Sequence, residues 1–156
     1  MSSRAPERTV RDVTGLLNQA GHLLSNRLAA ALAEVDLTPR MQCVLVHALE
    51  EERTQIQIAA LSDLDKTTMV STVDDLESRG LAERRPSTSD RRARIIRVTE
   101  KGRLAAEQGQ RIVDRVHGDV LRAFAAADRA VFVEVLTEIA DASTETTGPI
   151  RRSRNR

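Results

Sequence analysis

From Thr54 to Gly102 the chain carries, without a break, the signals of a short helix, a tight turn, a second helix and a two-stranded hairpin that leads into a further helix. Few folds accommodate that order. The second helix is predicted over roughly Asp65 to Arg79, in DKTTMVSTVDDLESRG, where helical spacing puts Met69, Val73 and Leu76 on one stripe and Thr67, Ser71 and Ser78 on the opposite face. The apolar stripe must be buried, and the polar face is left free to enter a groove.

The hairpin follows directly, in LAERRPSTSDRRARIIRVTEKG, with turn chemistry over Pro86 to Asp90 between two short strand-like runs. Arg84, Arg85, Arg91, Arg92, Arg94 and Arg97 crowd it, opposed by Glu83 and Asp90. The formal net charge of the chain is only +1, so this element gathers cations that the composition does not oversupply. Such a gathering suits phosphate and minor-groove contact, and double-stranded DNA is the expected partner.

Three segments in this order resemble the MarR (multiple antibiotic resistance regulator) transcription factors, which carry a winged helix-turn-helix: LTPRMQCVLVHAL (Leu37 to Leu49), LDKTTMVSTVDDLESRGLAERRP (Leu64 to Pro86) and SDRRARIIRVTEKG (Ser89 to Gly102). The resemblance implies a mainly α fold with a small β-hairpin wing, in which N- and C-terminal helices form a dimerisation region. Residues 1–156 are expected to make a single domain, with the DNA-binding part at 37–99 and dimerisation helices at 11–35 and 100–141.

Composition agrees. A length of 156 residues is that of one domain with a real core. Aromatics make up 1%, with no Trp or Tyr, so packing must rest on Leu, Val, Ile and Ala, and a stacking platform for single strands is excluded. Cys43 is the only cysteine, so no disulfide can form within the chain. No apolar run reaches the length of a membrane span, and MSSRAPERTV lacks the apolar centre of a secretory signal. A cytoplasmic location with no membrane association is expected.

Outside the central unit, Met1 to Val10 reads as a polar leader. A helix from Arg11 to Val35 follows, with Leu16, Leu17, Ala20, Leu23, Leu24, Leu28 and Ala31 along one side. Thr38-Pro39 supplies an N-cap and a first-turn proline for a helix to about Glu51, and Thr54, Asp65 and Thr99 are predicted caps further on. A helix from Glu100 to Phe124 offers Leu104, Ile112, Val113, Val116, Val120, Leu121 and Phe124. Another, from about Ala127 to Asp141, offers Val131, Phe132, Val135, Leu136 and Ile139. This is more apolar surface than one small winged domain needs, and a homodimer would bury the surplus. Residues 143–156, ending RRSRNR, are expected to be disordered, as a solubilising tail in preference to an extra phosphate-binding arm.

For DNA binding, Lys66 is expected on phosphate. Thr67, Thr68, Val70 and Ser71 are expected near base edges or thymine methyls, and Arg85, Asp90, Arg91, Arg92 and Arg94 belong to the wing. The family's Asp-x-Arg pattern falls on Asp90 and Arg92, and the resemblance implies that the aspartate fixes an arginine aimed into the minor groove. Many relatives carry arginines where this chain has Ser71 and Asp75, and it adds Asp74, so shape, charge and helix-dipole contacts are expected to weigh more than direct readout. Asp63 stands where relatives often have Gly, and aspartate tolerates the left-handed geometry that turn needs.

The resemblance also implies control by a small anionic or phenolic effector, for which His22, Asn26, Arg40 and His47 are the candidate polar residues. Cys43 and His47 lie four apart on one helix, but two ligands do not make a zinc site. Nor does the chain have the first-helix cysteine of the family's peroxide sensors. No cofactor is expected. The chain shows no phosphate-cradling glycine loop, catalytic His-carboxylate pair or nucleophile motif, so an enzyme is not expected. The reading is a ligand-responsive repressor on a pseudo-palindromic operator. Its alternative is a winged-helix protein turned to protein interaction or nonspecific DNA binding, suggested by Asp74 and Asp75.

Overall fold

The computed structural model describes residues 11–87 and 93–145, and their side chains to 141. The expectations for Asp90, Arg91, Arg92, the leader and the tail from 146 onward lie outside the described residues. In chain order the elements are α1 (Val13–Leu32), a 3-10 turn (Ala33–Val35), α2 (Pro39–Glu50), α3 (Gln55–Leu61), α4 (Lys66–Ser78), β1 (Ala82–Pro86), β2 (Arg94–Val98), α5 (Glu100–Arg122) and α6 (Ala126–Glu145). This is a mainly helical chain with one antiparallel hairpin, the fold class expected from the sequence. It divides into two compact units that meet in sequence at Val116 and His117, and α5 runs from the first into the second.

Each helix of the first unit begins where a short oxygen-bearing side chain can accept orphan amide protons. Asp12 accepts from the Gly15 amide at 2.9 Å and Thr38 from Met41 at 3.2 Å. Thr54 and Gln57 form a reciprocal capping box. Thr99 accepts from the Gly102 amide at 3.0 Å, while its own hydroxyl donates to the Gly80 carbonyl at 2.7 Å.

Helix ends follow one geometry. α3 stops with Asp63 at φ 50°, and the Leu64 amide returns to the Ala59 carbonyl at 2.9 Å. α4 stops in the same way with Gly80 at φ 67° and Leu81 returning to Leu76 at 2.9 Å. Asp63 therefore takes the left-handed position expected of it.

The core of the first unit is aliphatic throughout. Met41, Val44 and Leu45 of α2, Ile58 of α3, Met69, Val73 and Leu76 of α4, Ile96 of β2 and Ala106 and Ile112 of α5 are all buried, together with Leu32, Leu37, Leu81 and Ala82. The predicted α4 stripe is thus the buried one. On α5 the buried line differs from the expected stripe: it is Gly102, Ala106, Gly109 and Ile112, while Leu104 is exposed. Small residues win because neighbours come close. A methyl at Gly102 would strike the Leu81 carbonyl oxygen, and one at Gly109 would strike the Gln42 amide oxygen. Gln42 itself donates to the Ala106 carbonyl at 3.0 Å and ties α2 to α5.

The hairpin pairs Ala82 with Val98, Glu83 with Arg97, Arg84 with Ile96, Arg85 with Ile95 and Pro86 with Arg94. β2 is also held at its other edge, through an antiparallel bridge between Ile95 and Thr54 and an Ile96 amide that donates to the Arg53 carbonyl at 3.3 Å. The base of the wing is therefore stitched to the segment that opens α3.

Far less of the outer helices is covered. On α1, Leu28, Ala31 and Leu32 join the core, whereas Leu16, Leu17 and Leu23 are exposed. In the second unit Phe124 and Phe132 stack at 4.7 Å, and Val131, Val133, Val135, Leu136 and Ile139 of α6 are all exposed.

Candidate nucleic-acid interface

The N-terminus of α4 is organised by Asp65. Its carboxylate accepts the amides of Thr67 and Thr68 at 2.9 and 3.0 Å and the Thr68 hydroxyl at 2.5 Å. The Thr68 hydroxyl, followed by the Thr68 amide, holds this carboxyl below its ordinary range, against the smaller opposing effect of desolvation. One expectation needs revising here. With these amides bound to a carboxylate at the positive end of the helix, the dipole has little left to offer a phosphate, so docking falls to side chains.

Those side chains form one exposed face. Lys66, Thr67, Val70, Ser71, Asp74 and Asp75 are all exposed, and among the described residues Lys66 and Thr67 have no side-chain partner. Ser71 donates its hydroxyl to the Thr68 carbonyl at 3.0 Å, which leaves its oxygen able to accept. Thr68, by contrast, is only partly exposed and belongs to the helix start.

The hairpin arginines are not equivalent. Arg84 is in phase with buried Ala82 and lies across from buried Ile96, so its side chain turns inward and is only 22% exposed. Its guanidinium meets Asp74 at 2.7 Å, Glu77, the Val70 carbonyl at 3.1 Å and the Gln55 amide oxygen at 3.2 Å. The Arg84 backbone amide adds a bond to Glu77 at 2.7 Å. Sequence reasoning grouped Arg84 with the cationic surface. Its phase with Ala82 was the signal that separated it from Arg85, which is half-exposed and pairs with Glu83 at 2.6 Å. Arg94 and Arg97 are exposed on β2.

Arg53 anchors the wing base from below. It donates to the His47 carbonyl at 2.7 Å and pairs with Glu50 at 2.6 Å and Glu51 at 2.8 Å. Arg53, and then His47, hold the Glu50 carboxyl below its usual range, and Glu50 in turn raises Arg53.

A helix-turn-helix with one polar face open beside a two-stranded basic wing is an arrangement built to lie on a charged groove. A sequence model described as the MarR family matches residues 35–93. A MarR-family transcriptional regulator from Rhodococcus sp. RHA1 is 31% identical, with a TM-score of 0.75 over 83% of this chain and 92% of that one. The chain belongs to the MarR family. CouR from Rhodococcus jostii RHA1, solved bound to p-coumaroyl-CoA, is 33% identical with a TM-score of 0.74, covering 83% of this chain and 92% of that one. The transcriptional repressor CouR bound to a 23-mer DNA duplex is 29% identical with a TM-score of 0.76, covering 82% and 92% respectively. These MarR relatives are transcriptional regulators and not enzymes.

In this MarR regulator the residues suggested for an effector do not converge. Asn26 and His22 bond to each other on the exposed side of α1 at 3.0 Å, His47 bonds to Glu50 at 3.3 Å, and Arg40 is exposed in the first turn of α2. A cavity of about 210 Å³ lies elsewhere, lined by Leu28, Leu32, Pro39, Gln42, Cys43, Val46, Gln110 and Val113. Cys43 meets the Ser62 hydroxyl at 3.3 Å. Among the described residues no group of three His, Cys, Asp or Glu side chains is placed to hold a metal ion, and no helix is long and apolar enough to cross a membrane.

Proposed function

We propose that this MarR-family regulator is a repressor that binds a pseudo-palindromic operator as a homodimer, with one α4 from each subunit in successive major grooves. The observation that carries the reading is the open face of α4 beside the wing. Lys66 supplies a phosphate contact, and Thr67, Val70 and Ser71 supply short side chains that meet base edges and thymine methyls only at close approach. Thr68 serves the helix start. Arg85 and Arg94, with Asp90, Arg91 and Arg92 between the strands in sequence, dock the wing on the adjacent backbone and minor groove.

Dimerisation is supported by the apolar faces left open on α1 and α6, and two-fold symmetry then implies an inverted repeat. The cavity beside Gln42 supports effector control. At about 210 Å³ it is smaller than the roughly 300–1,000 Å³ of drug-sized pockets, so it fits a ring-sized molecule. The CouR structures with DNA and with an acyl-CoA are consistent with both halves of this reading.

The test is selection of bound fragments from the source genome, followed by titration of the best fragment at several salt concentrations. An inverted repeat should emerge. Lys66→Ala and Arg94→Ala should each weaken binding and lower the salt slope by about 0.9, as expected for one lost phosphate contact. Failure to enrich any sequence would remove the regulator reading in favour of nonspecific binding or protein interaction.

A further inference from the structure

We infer that Arg84 is a positioning residue for DNA binding: an internal counter-charge that cancels two acidic groups of the reading helix and fixes the wing against it. This rests on the DNA-binding reading above. Asp74 and Glu77 sit on α4, close to where a phosphate backbone must run if that helix enters a groove, and two carboxylates there oppose docking. The Arg84 guanidinium lies against both. A planar five-donor fork can serve several acceptors in fixed directions at once, which a lysine ammonium cannot do with the same geometry. Here it serves four: Asp74, Glu77, the Val70 carbonyl and Gln55. Those acceptors belong to α4 and α3, and Arg84 itself belongs to β1, so one side chain joins both helices of the reading motif to the wing.

The arginine is therefore spent inside the protein. It makes no phosphate contact, and its value to DNA binding is the charge it removes and the angle it sets. The same argument explains how a helix bearing Asp74 still presents a face compatible with DNA.

The experiment is a charge-rescue cycle on the selected operator, with Arg84→Met, Asp74→Asn/Glu77→Gln and their combination, each titrated across salt. Arg84→Met keeps the apolar stem and removes the charge. It should weaken binding by about tenfold or more, by leaving two carboxylates uncompensated, while the salt slope stays as in the parent. Neutralising Asp74 and Glu77 should then restore most of that loss in the Arg84→Met background and change the parent little, a coupling that a merely structural hole would not show.

A slope that falls by about 0.9 in Arg84→Met, with no rescue, would make Arg84 a phosphate contact and overturn the inference. Parental affinity in Arg84→Met would overturn it as well. Should Arg84→Met fail to fold, Arg84→Lys decides the matter: weakened binding at unchanged slope upholds the fork, and parental binding refutes it. Absence of any operator for the parent chain is a separate result, which removes the regulator reading itself.

Discussion

The segment from Leu37 to Thr99 and the helix α6 are both rich in aliphatic residues but opposite in how they use them. In the first, Met41, Val44, Leu45, Ile58, Met69, Val73 and Leu76 are essentially inaccessible to solvent. In the second, Val131, Val133, Val135, Leu136 and Ile139 all face outward. One chain can complete the DNA-reading part alone, whereas α6 displays a face with no partner in its own unit. The difference separates a module that folds by internal packing from one whose burial waits on association.

The comparison breaks most readily at the packed end. Leu76→Ala removes a fully buried side chain at the centre of α4 and should cost about 2–5 kcal/mol, read as a shifted denaturant midpoint at unchanged slope. A cost near zero would mean that the reading unit is not the stable part of the molecule. At the open end, Val131→Asp/Val135→Asp puts two charges one helical turn apart on α6. Sedimentation should then report a monomer, and operator affinity should fall by roughly 100-fold as one half-site is lost. A dimer that survives would assign this face to another role.

A smaller effect sharpens the picture within α4. The Asp65 carboxyl is depressed chiefly by the Thr68 hydroxyl, so the stability it contributes is complete above the ordinary carboxylate range and is lost as pH falls through the depressed value. The difference in melting temperature between the parent and Asp65→Asn should therefore narrow below about pH 4. A constant gap would show that the cap acts through its geometry and not its charge.

What the sequence disclosed was local. Thr38, Thr54, Asp65 and Thr99 were recognisable as caps because each acts on an amide two or three residues ahead. The buried stripe of α4 follows from spacing alone, and the left-handed Asp63 from its place between two helices. The unseen features all depend on register or on distant partners. The bridge from Ile95 to Thr54 joins residues far apart in the chain, and nothing near either one announces it. The inward turn of Arg84 needs the hairpin phase and the α4 carboxylates together. The predicted α5 stripe favoured large residues, whereas the helix packs through its glycines because a carbonyl and an amide press against them.

That last contact has a genetic consequence. Gln42 and Gly109 occupy what is in effect a single volume, with the amide of one filling the space that any side chain on the other would need. The two positions are thus constrained as one locus. Enlarging residue 109 can be tolerated only by lineages that have first shortened residue 42, so the order in which substitutions arise decides which are accessible.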